Sequence, residues 1–486
     1  MRQVVLALLL LHAVRLAFTP TFELVPQEAY YFLYAQHPAL SYFDHPPAIA
    51  WLITPFAALL GKTALAPRLA CWLATLGTGL AFAALARRTL PRGRRPWALL
   101  AMGTTLLATI VSLIATPDVP LLLFWALSLL HMHRAAFGVR KADWLLAGLF
   151  MGLAFDSKYT GIFLQLGLLL FLMASPRHRR WLATPWPYLA LLVAHAVMAP
   201  VYVWNAEHGF ASFLFQSQGR AQELRPFGFS FFGKLLATQS FLVVPPLFCA
   251  VVWALARSNR LLARSPRRRS REQLLFLTCF ALPLMALFAT VSFVYPVKPN
   301  WLEPAWLAGT LLAVRLVRAP LFWKVNLGFA LTLLLVTGVE VALYPVPIKS
   351  DDTWFGWKEL AAQVQLRAAQ TKADFVFSND QYKTSAELRF YSPLPVYAGN
   401  LLGLPAQQFD YLGEDPAALV GKDGLFVDSQ LFDNTPTRAV NLPEVLAPHC
   451  RAVDELDPIL LRRRGEIVRK FFVFRCQGYS GTGRSP

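Results

Sequence analysis

Charge is scarce in this chain, and acid scarcest of all: 15% of the 486 residues are charged, with 28 acidic against 46 basic. Cysteine is also rare, five in total, too few for a disulfide scaffold. No P-loop, CxxC, HExxH or internal repeat occurs. The first three absences argue against phosphate-cradling, dithiol and zinc-protease chemistry, and the last against the paired halves of many transporters. What fills the chain is apolar: 56% of residues are hydrophobic and mean hydropathy is +0.44, outside the soluble class. A formal net charge of +18 invites a nucleic-acid reading. The basic residues, however, come in short clusters between apolar runs, as orientation signals do, so nucleic acid is not an expected partner.

Apolar runs long enough for a bilayer, or nearly so, lie at about 3–20, 68–86, 97–116, 119–133, 144–157, 159–175, 182–204, 232–256, 273–295, 301–317 and 320–343. They predict a mainly α, polytopic membrane protein of about 11 transmembrane helices. Leu235–Ala256 and Leu274–Tyr295 are the clearest, having no charged residue. Ala48–Leu60 is short, follows a double proline and reads as a helix lying on the membrane surface. The first run lacks an A-x-A cleavage pattern and reads as an uncleaved helix.

The loops set the orientation. Arg87, Arg88, Arg92, Arg94 and Arg95 follow the second run, Arg134, Arg140 and Lys141 the fourth, and Arg177, Arg179 and Arg180 the sixth. Seven arginines between Arg257 and Arg271 follow the eighth, and Arg315 and Arg318 end the tenth. Every even-to-odd loop is therefore basic, the positive-inside pattern of a chain with a cytoplasmic N-terminus and an exported C-terminal region. In a bacterium this means a multi-pass inner (plasma) membrane protein with a periplasmic C-terminal domain.

With that orientation the remaining polar residues fall on the outer side. The richest stretch is Glu23–Trp51, where Glu28, Tyr30, Tyr31, Tyr34, His37, Tyr42, Asp44 and His45 crowd together ahead of Pro46-Pro47. Two carboxylates ringed by aromatics suit gripping a sugar and handling a proton, although Tyr and Trp also gather at membrane interfaces. Asp118 after Thr116-Pro117, Lys158 after Asp156-Ser157, the loop from Asn205 to Arg225, and Tyr295 to Trp301 join the same face. Intramembrane and membrane-edge charges are costly and usually functional.

From about Lys349 the composition becomes mixed. Helix-like GWKELAAQVQLRAA and KTSAELRFYS alternate with strand-like ADFVFSN, GLFVDS and RKFFVFRC. These features predict a transmembrane domain over 1–345, with an outer first loop at 21–66, and a periplasmic α/β domain over 346–486. Cys450 and Cys476 are the only cysteines of that domain. Both a disulfide and two free buried thiols fit them.

The set PQEAYY, YFDHPP, TPD, SKYTG, WNAEHGFASFLFQ and VKPNWLEPAW resembles bacterial membrane glycosyltransferases of the protein O-mannosyltransferase and lipid A aminoarabinose transferase superfamily, which have the GT-C fold. The resemblance covers about residues 1–345. It implies inverting transfer of a sugar from a polyprenyl-phosphate donor, undecaprenyl-based, to a lipid, glycan or protein hydroxyl on the outer face of the inner membrane. The acidic pair of the family's first loop falls on Gln27-Glu28, so the first acid is missing and Glu28 is the surviving carboxylate. Asp44-His45-Pro46 matches an element that helps organise the donor phosphate, sometimes with a divalent metal.

The chemistry asks for a carboxylate to take the acceptor proton and for cations to stabilise the departing phosphate. Glu28 and Asp118 are the candidate bases, although Asp after Pro also suits a helix cap. Lys158, Lys298, Arg220 and Arg225 are candidates for the donor phosphate, with interfacial snorkelling as the alternative for the lysines. Tyr30, Tyr31, Tyr42 and Trp301 are candidates for substrate contact. Asp44 and His45 are candidate metal ligands, with His37 and His208 as further donors, although two adjacent ligands do not make a site. Membrane lipids and the acceptor are the expected partners. The rival readings are a transporter or flippase of a lipid-linked glycan and a non-catalytic scaffold.

Overall fold

The computed structural model describes residues 1–138, 140–264, 268–433, 435–439, 441 and 443–482, and the side chains of 259–264 and 268 are not considered. In the arginine-rich loop, Arg267 and the side chains of Arg260, Arg264 and Arg268 therefore lie outside the described residues.

Helices occupy the apolar runs, but not all as straight crossings. Five are long and apolar enough to span a membrane: Arg2–Thr21, Leu65–Thr89, Asp118–Phe137, Arg269–Val291 and Pro320–Leu343. Three bent pairs raise the number to at most eight. The runs at 144–157, 159–175 and 301–317 form helices of 16, 12 and 14 residues, Ala142–Ser157, Phe163–Ala174 and Glu303–Leu316. Leu235–Ala256, expected to be among the clearest spans, is instead broken by 115° between Ser230–Val243 and Pro245–Ser258. Val244 stands there at φ 67°, and Pro245-Pro246 removes the two donors that would have continued the helix.

The chain divides into two compact units. The first holds Met1–Thr19, His45–Leu52 and Arg68–Gly338, and the second Pro20–Asp44, Ile53–Pro67 and Val339–Pro486. In the helical first unit, close approach is set by small residues. Gly148 and Gly152 of Ala142–Ser157 lie against Ala190, Ala194 and Val197 of Trp186–Val197, where an added Cβ would meet backbone. This is the small-xxx-small contact that suits helices packed within lipid.

The second unit is built on a five-stranded sheet: β1 (Phe375–Phe377), β2 (Val396–Tyr397), β3 (Gly424–Gln430), β4 (Cys450–Arg463) and β5 (Glu466–Tyr479), in the order β2-β1-β3-β5-β4. The β1 pairings are parallel, while β3–β5 and β4–β5 are antiparallel. Alternate residues serve opposite faces. Val376, Leu425, Val427, Phe471 and Val473 meet Trp357, Leu360 and Val364 of the Trp357–Thr371 helix. Phe375, Phe377, Phe426 and Phe474 meet Leu401, Leu446 and Tyr479. Cys450 and Cys476 form a disulfide.

Much of the first loop, grouped by sequence with the membrane helices, folds with this sheet domain. Glu23 Oε2 accepts the Trp357 and Lys358 N–H groups at 2.6 and 3.1 Å, an anion at a helix N-terminus where unpaired donors point outward. The Leu24 N–H donates to the Tyr391 hydroxyl at 2.9 Å.

Candidate functional site

In the first unit the organising pair is Asp118 and Lys158. Asp118 opens the Asp118–Phe137 helix and Lys158 caps the C-terminus of Ala142–Ser157, so each charge sits where the helix dipole favours it. Lys158 Nζ donates to Asp118 Oδ1 at 2.5 Å, and Asn300 Nδ2 donates to Oδ2 at 2.6 Å. Both charged residues are buried, at 2% and 5% exposure. The N-cap position of this helix is Pro117 and not Asp118, and the two Asp118 carboxylate oxygens are bonded to Lys158 and Asn300. Gln239 fixes the turn carrying Asn300: its Nε2 donates to Pro299 O at 2.6 Å and its Oε1 accepts from Trp306 Nε1 at 2.8 Å.

Glu303 opens the Glu303–Leu316 helix, is 3% exposed and faces both Asp118 and Lys158. Its Oε2 has no hydrogen-bond partner among the described residues. Asn300 and Glu303 lie inside the VKPNWLEPAW motif, yet the sequence reading gave them no role. A lone acid and amide at a helix start look like caps until the fold brings a distant pair beside them.

His45 is largely buried and faces Lys158, Lys298 and Arg220. Burial first, and then these three cations, hold its pKa well below the ordinary histidine value, so it stands neutral. Arg220 donates to the Tyr295 hydroxyl at 2.9 Å, and its guanidinium lies 4.8 Å from the Phe215 ring and 5.8 Å from the Trp301 ring. Trp301 stacks on Tyr295 at 5.7 Å. The Tyr295 hydroxyl donates to Glu223 at 2.7 Å. Arg225 is exposed, on a segment pinned by its own N–H to Val294 O at 2.8 Å. Lys298 is exposed as well.

The second unit holds the rest of the aromatic stretch. Tyr30 and Tyr34 are four apart on the Pro26–Gln36 helix and share a face. Both hydroxyls donate to Asp44 Oδ1, that of Tyr30 at 2.8 Å. The Tyr30 hydroxyl also accepts the Gln408 N–H at 3.0 Å. Tyr30 stacks on Tyr382 at 4.3 Å and Tyr34 on Tyr42 at 4.0 Å. The Tyr42 hydroxyl donates to Tyr34 O at 2.8 Å. Burial, reinforced by Asp44, raises the pKa of both Tyr30 and Tyr34 and keeps them as donors. Tyr30, Tyr31 and Tyr42, expected to contact substrate, are 1%, 6% and 1% exposed. Glu28 is fully buried, and its carboxylate accepts the Val25 N–H at 3.2 Å to close the first helical turn.

The residues do not fit a divalent metal. Among the described residues no group of three or more His, Cys, Asp or Glu could hold one. Asp44 is engaged by two phenols, and His45 faces three cations that would repel a metal ion. His208 Nδ1 is bonded to Trp204 O at 2.8 Å. His37 lies in the second unit, near Arg389.

An apolar helical unit with a buried acid–lysine pair and further cations, joined in one chain to a mixed-sheet domain, is the make-up of a membrane glycosyltransferase. The comparisons agree. A family model described as dolichyl-phosphate-mannose-protein mannosyltransferase matches residues 44–204. The lipid A galacturonosyltransferase RgtD of Rhizobium johnstonii is 30% identical over 475 residues, 91% of this chain and 93% of that protein. Two crystal structures of ArnT from Cupriavidus metallidurans, one bound to undecaprenyl phosphate and one apo, share the fold with a TM-score of 0.64 over 97% of both chains at 15% identity. The chain belongs to the GT-C superfamily of membrane glycosyltransferases, in the family of RgtD.

Proposed function

We propose that this enzyme moves a sugar, with inversion, from a polyprenyl-phosphate carrier to a hydroxyl of a lipid A type acceptor. The observation that carries the reading is the buried Asp118–Lys158 pair in the unit where His45 faces Lys158, Lys298 and Arg220. Support for the donor and acceptor classes comes from the undecaprenyl phosphate bound to ArnT and from the lipid A acted on by RgtD.

The acceptor oxygen attacks the anomeric carbon as the carbon–phosphate oxygen bond breaks, and the bonding pair leaves on the polyprenyl phosphate. Lys158, Lys298 and Arg220 stabilise the charge that develops there, with Arg225 on the approach. Asp118, bonded to Lys158, takes the acceptor proton. Glu28 is bonded within its own helix turn and acts as a positioning residue. No step runs through a metal. Trp301, stacked beside Arg220, supplies an aromatic face for the sugar. Each bent pair counts as one crossing and the three shorter helices also cross, giving eleven spans. The basic loops are then cytoplasmic, and the 346–486 domain is periplasmic.

The test is release of labelled undecaprenyl phosphate from its galacturonosyl conjugate by the purified full chain with lipid A present. Release should require the acceptor and should stop in Asp118→Asn. Full turnover by that variant would remove Asp118 from the reaction.

A further inference from the structure

The second unit contains a cleft that the transfer chemistry leaves unused. Its volume is about 380 Å³, and Gln36, His37, Lys62, Arg389, Tyr397 and Glu414 are among its lining residues. That volume is within the range of small-molecule sites, about 300–1,000 Å³. Three nitrogen bases from three separate segments line this cleft together with one carboxylate. Arg389 forms a two-pronged pair with Glu414, at 2.5 and 3.1 Å, and donates to Val396 O at 3.3 Å. His37 Nε2 stands 3.4 Å from Arg389 Nη2. Lys62 reaches only the Ser392 carbonyl, at 3.4 Å, and no carboxylate among the described residues pairs with it.

Positive charge is therefore in excess. Burial and then Arg389 lower the pKa of both Lys62 and His37. The wall is stiff as well: Pro393 and Pro395 line it, and proline fixes φ. A rigid cleft with surplus positive charge, an amide from Gln36 and the Tyr397 ring suits an anion carried on a sugar ring.

We infer that this cleft binds a phosphorylated saccharide headgroup. The phosphate takes Lys62 and the outer edge of Arg389, a compact ammonium and a guanidinium both being good phosphate partners, and the ring lies against Tyr397. The inference rests on the transfer reading only in naming the acceptor as the source of that headgroup, and binding measured without turnover tests it separately.

The experiment titrates the detergent-purified full chain with glucosamine 1-phosphate, methyl glucosaminide and inorganic phosphate, in a Lys158→Met background that weakens the transfer site. The sugar phosphate should bind, at least about 10-fold more tightly than either of the others. Lys62→Gln should weaken that binding by about 10-fold, and Glu414→Gln, which removes the competing carboxylate, should strengthen it several-fold. Equal binding of inorganic phosphate or of the neutral glycoside would overturn the inference. So would unchanged affinity in both cleft variants, or weaker binding in Glu414→Gln with the fold intact by circular dichroism.

Discussion

Asp118 and Asp44 are both buried aspartates, and they are held in opposite ways. Asp118 faces a lysine ammonium and a carboxamide, whereas Asp44 faces two tyrosine hydroxyls. A carboxylate paired with an ammonium has beside it a countercharge that can turn toward an arriving phosphate. A carboxylate gripped by two phenols is held by donors that stay protonated because burial raises their pKa. The first arrangement suits proton and phosphate chemistry, and the second suits locking a loop to a folded domain.

Removing the ammonium should break the comparison most severely. Lys158→Met should lower kcat by about 100- to 1,000-fold, the usual cost of losing a preorganised charge-stabilising group, as read by release of labelled carrier phosphate. On the other side of the comparison, the Cys450–Cys476 link closes a separation of 26 residues. Replacing both cysteines with serine should destabilise the sheet domain by about 2–4 kcal/mol, seen as a lower denaturation midpoint. Tyr34→Phe removes one donor from buried Asp44 and should cost about 1.5–3 kcal/mol, again in stability, with kcat changed far less than by Lys158→Met.

The smallest effect concerns His45. Its folded pKa is depressed, so on acidification the unfolded chain takes up the proton first, and stability falls with pH below the ordinary histidine value. His45→Gln should therefore flatten the loss of melting temperature between about pH 7.5 and about pH 5.5. An equal loss in both proteins would show that the His45 pKa is not depressed by its burial and the cations it faces.

The sequence made the helical runs and the C-terminal sheet region legible, and it singled out Asp118, Lys158, His45 and Arg220 because charge inside an apolar chain is conspicuous. Their partners were not legible: Asn300 and Glu303 reach Asp118 across more than 180 positions, and no local pattern encodes that distance. The strand β4 was missed because it is an edge strand rich in charge, and Pro458 lies within its register shift between Leu456 and Ile459. Edge strands tolerate such residues. The break at Val244 had a visible sign in Pro245-Pro246, outweighed by the run's uniform hydropathy. The burial of the tyrosines was not legible, because aromatic density looks alike whether it is buried or open.

The most direct test sets Asp118→Asn beside Glu28→Gln in a single-turnover assay of carrier-phosphate release with saturating donor and acceptor. Asp118→Asn should lose at least about 100-fold, while Glu28→Gln, if it still folds by circular dichroism, should lose only a few-fold. A folded Glu28→Gln protein without activity, next to an Asp118→Asn protein that turns over normally, would contradict the account.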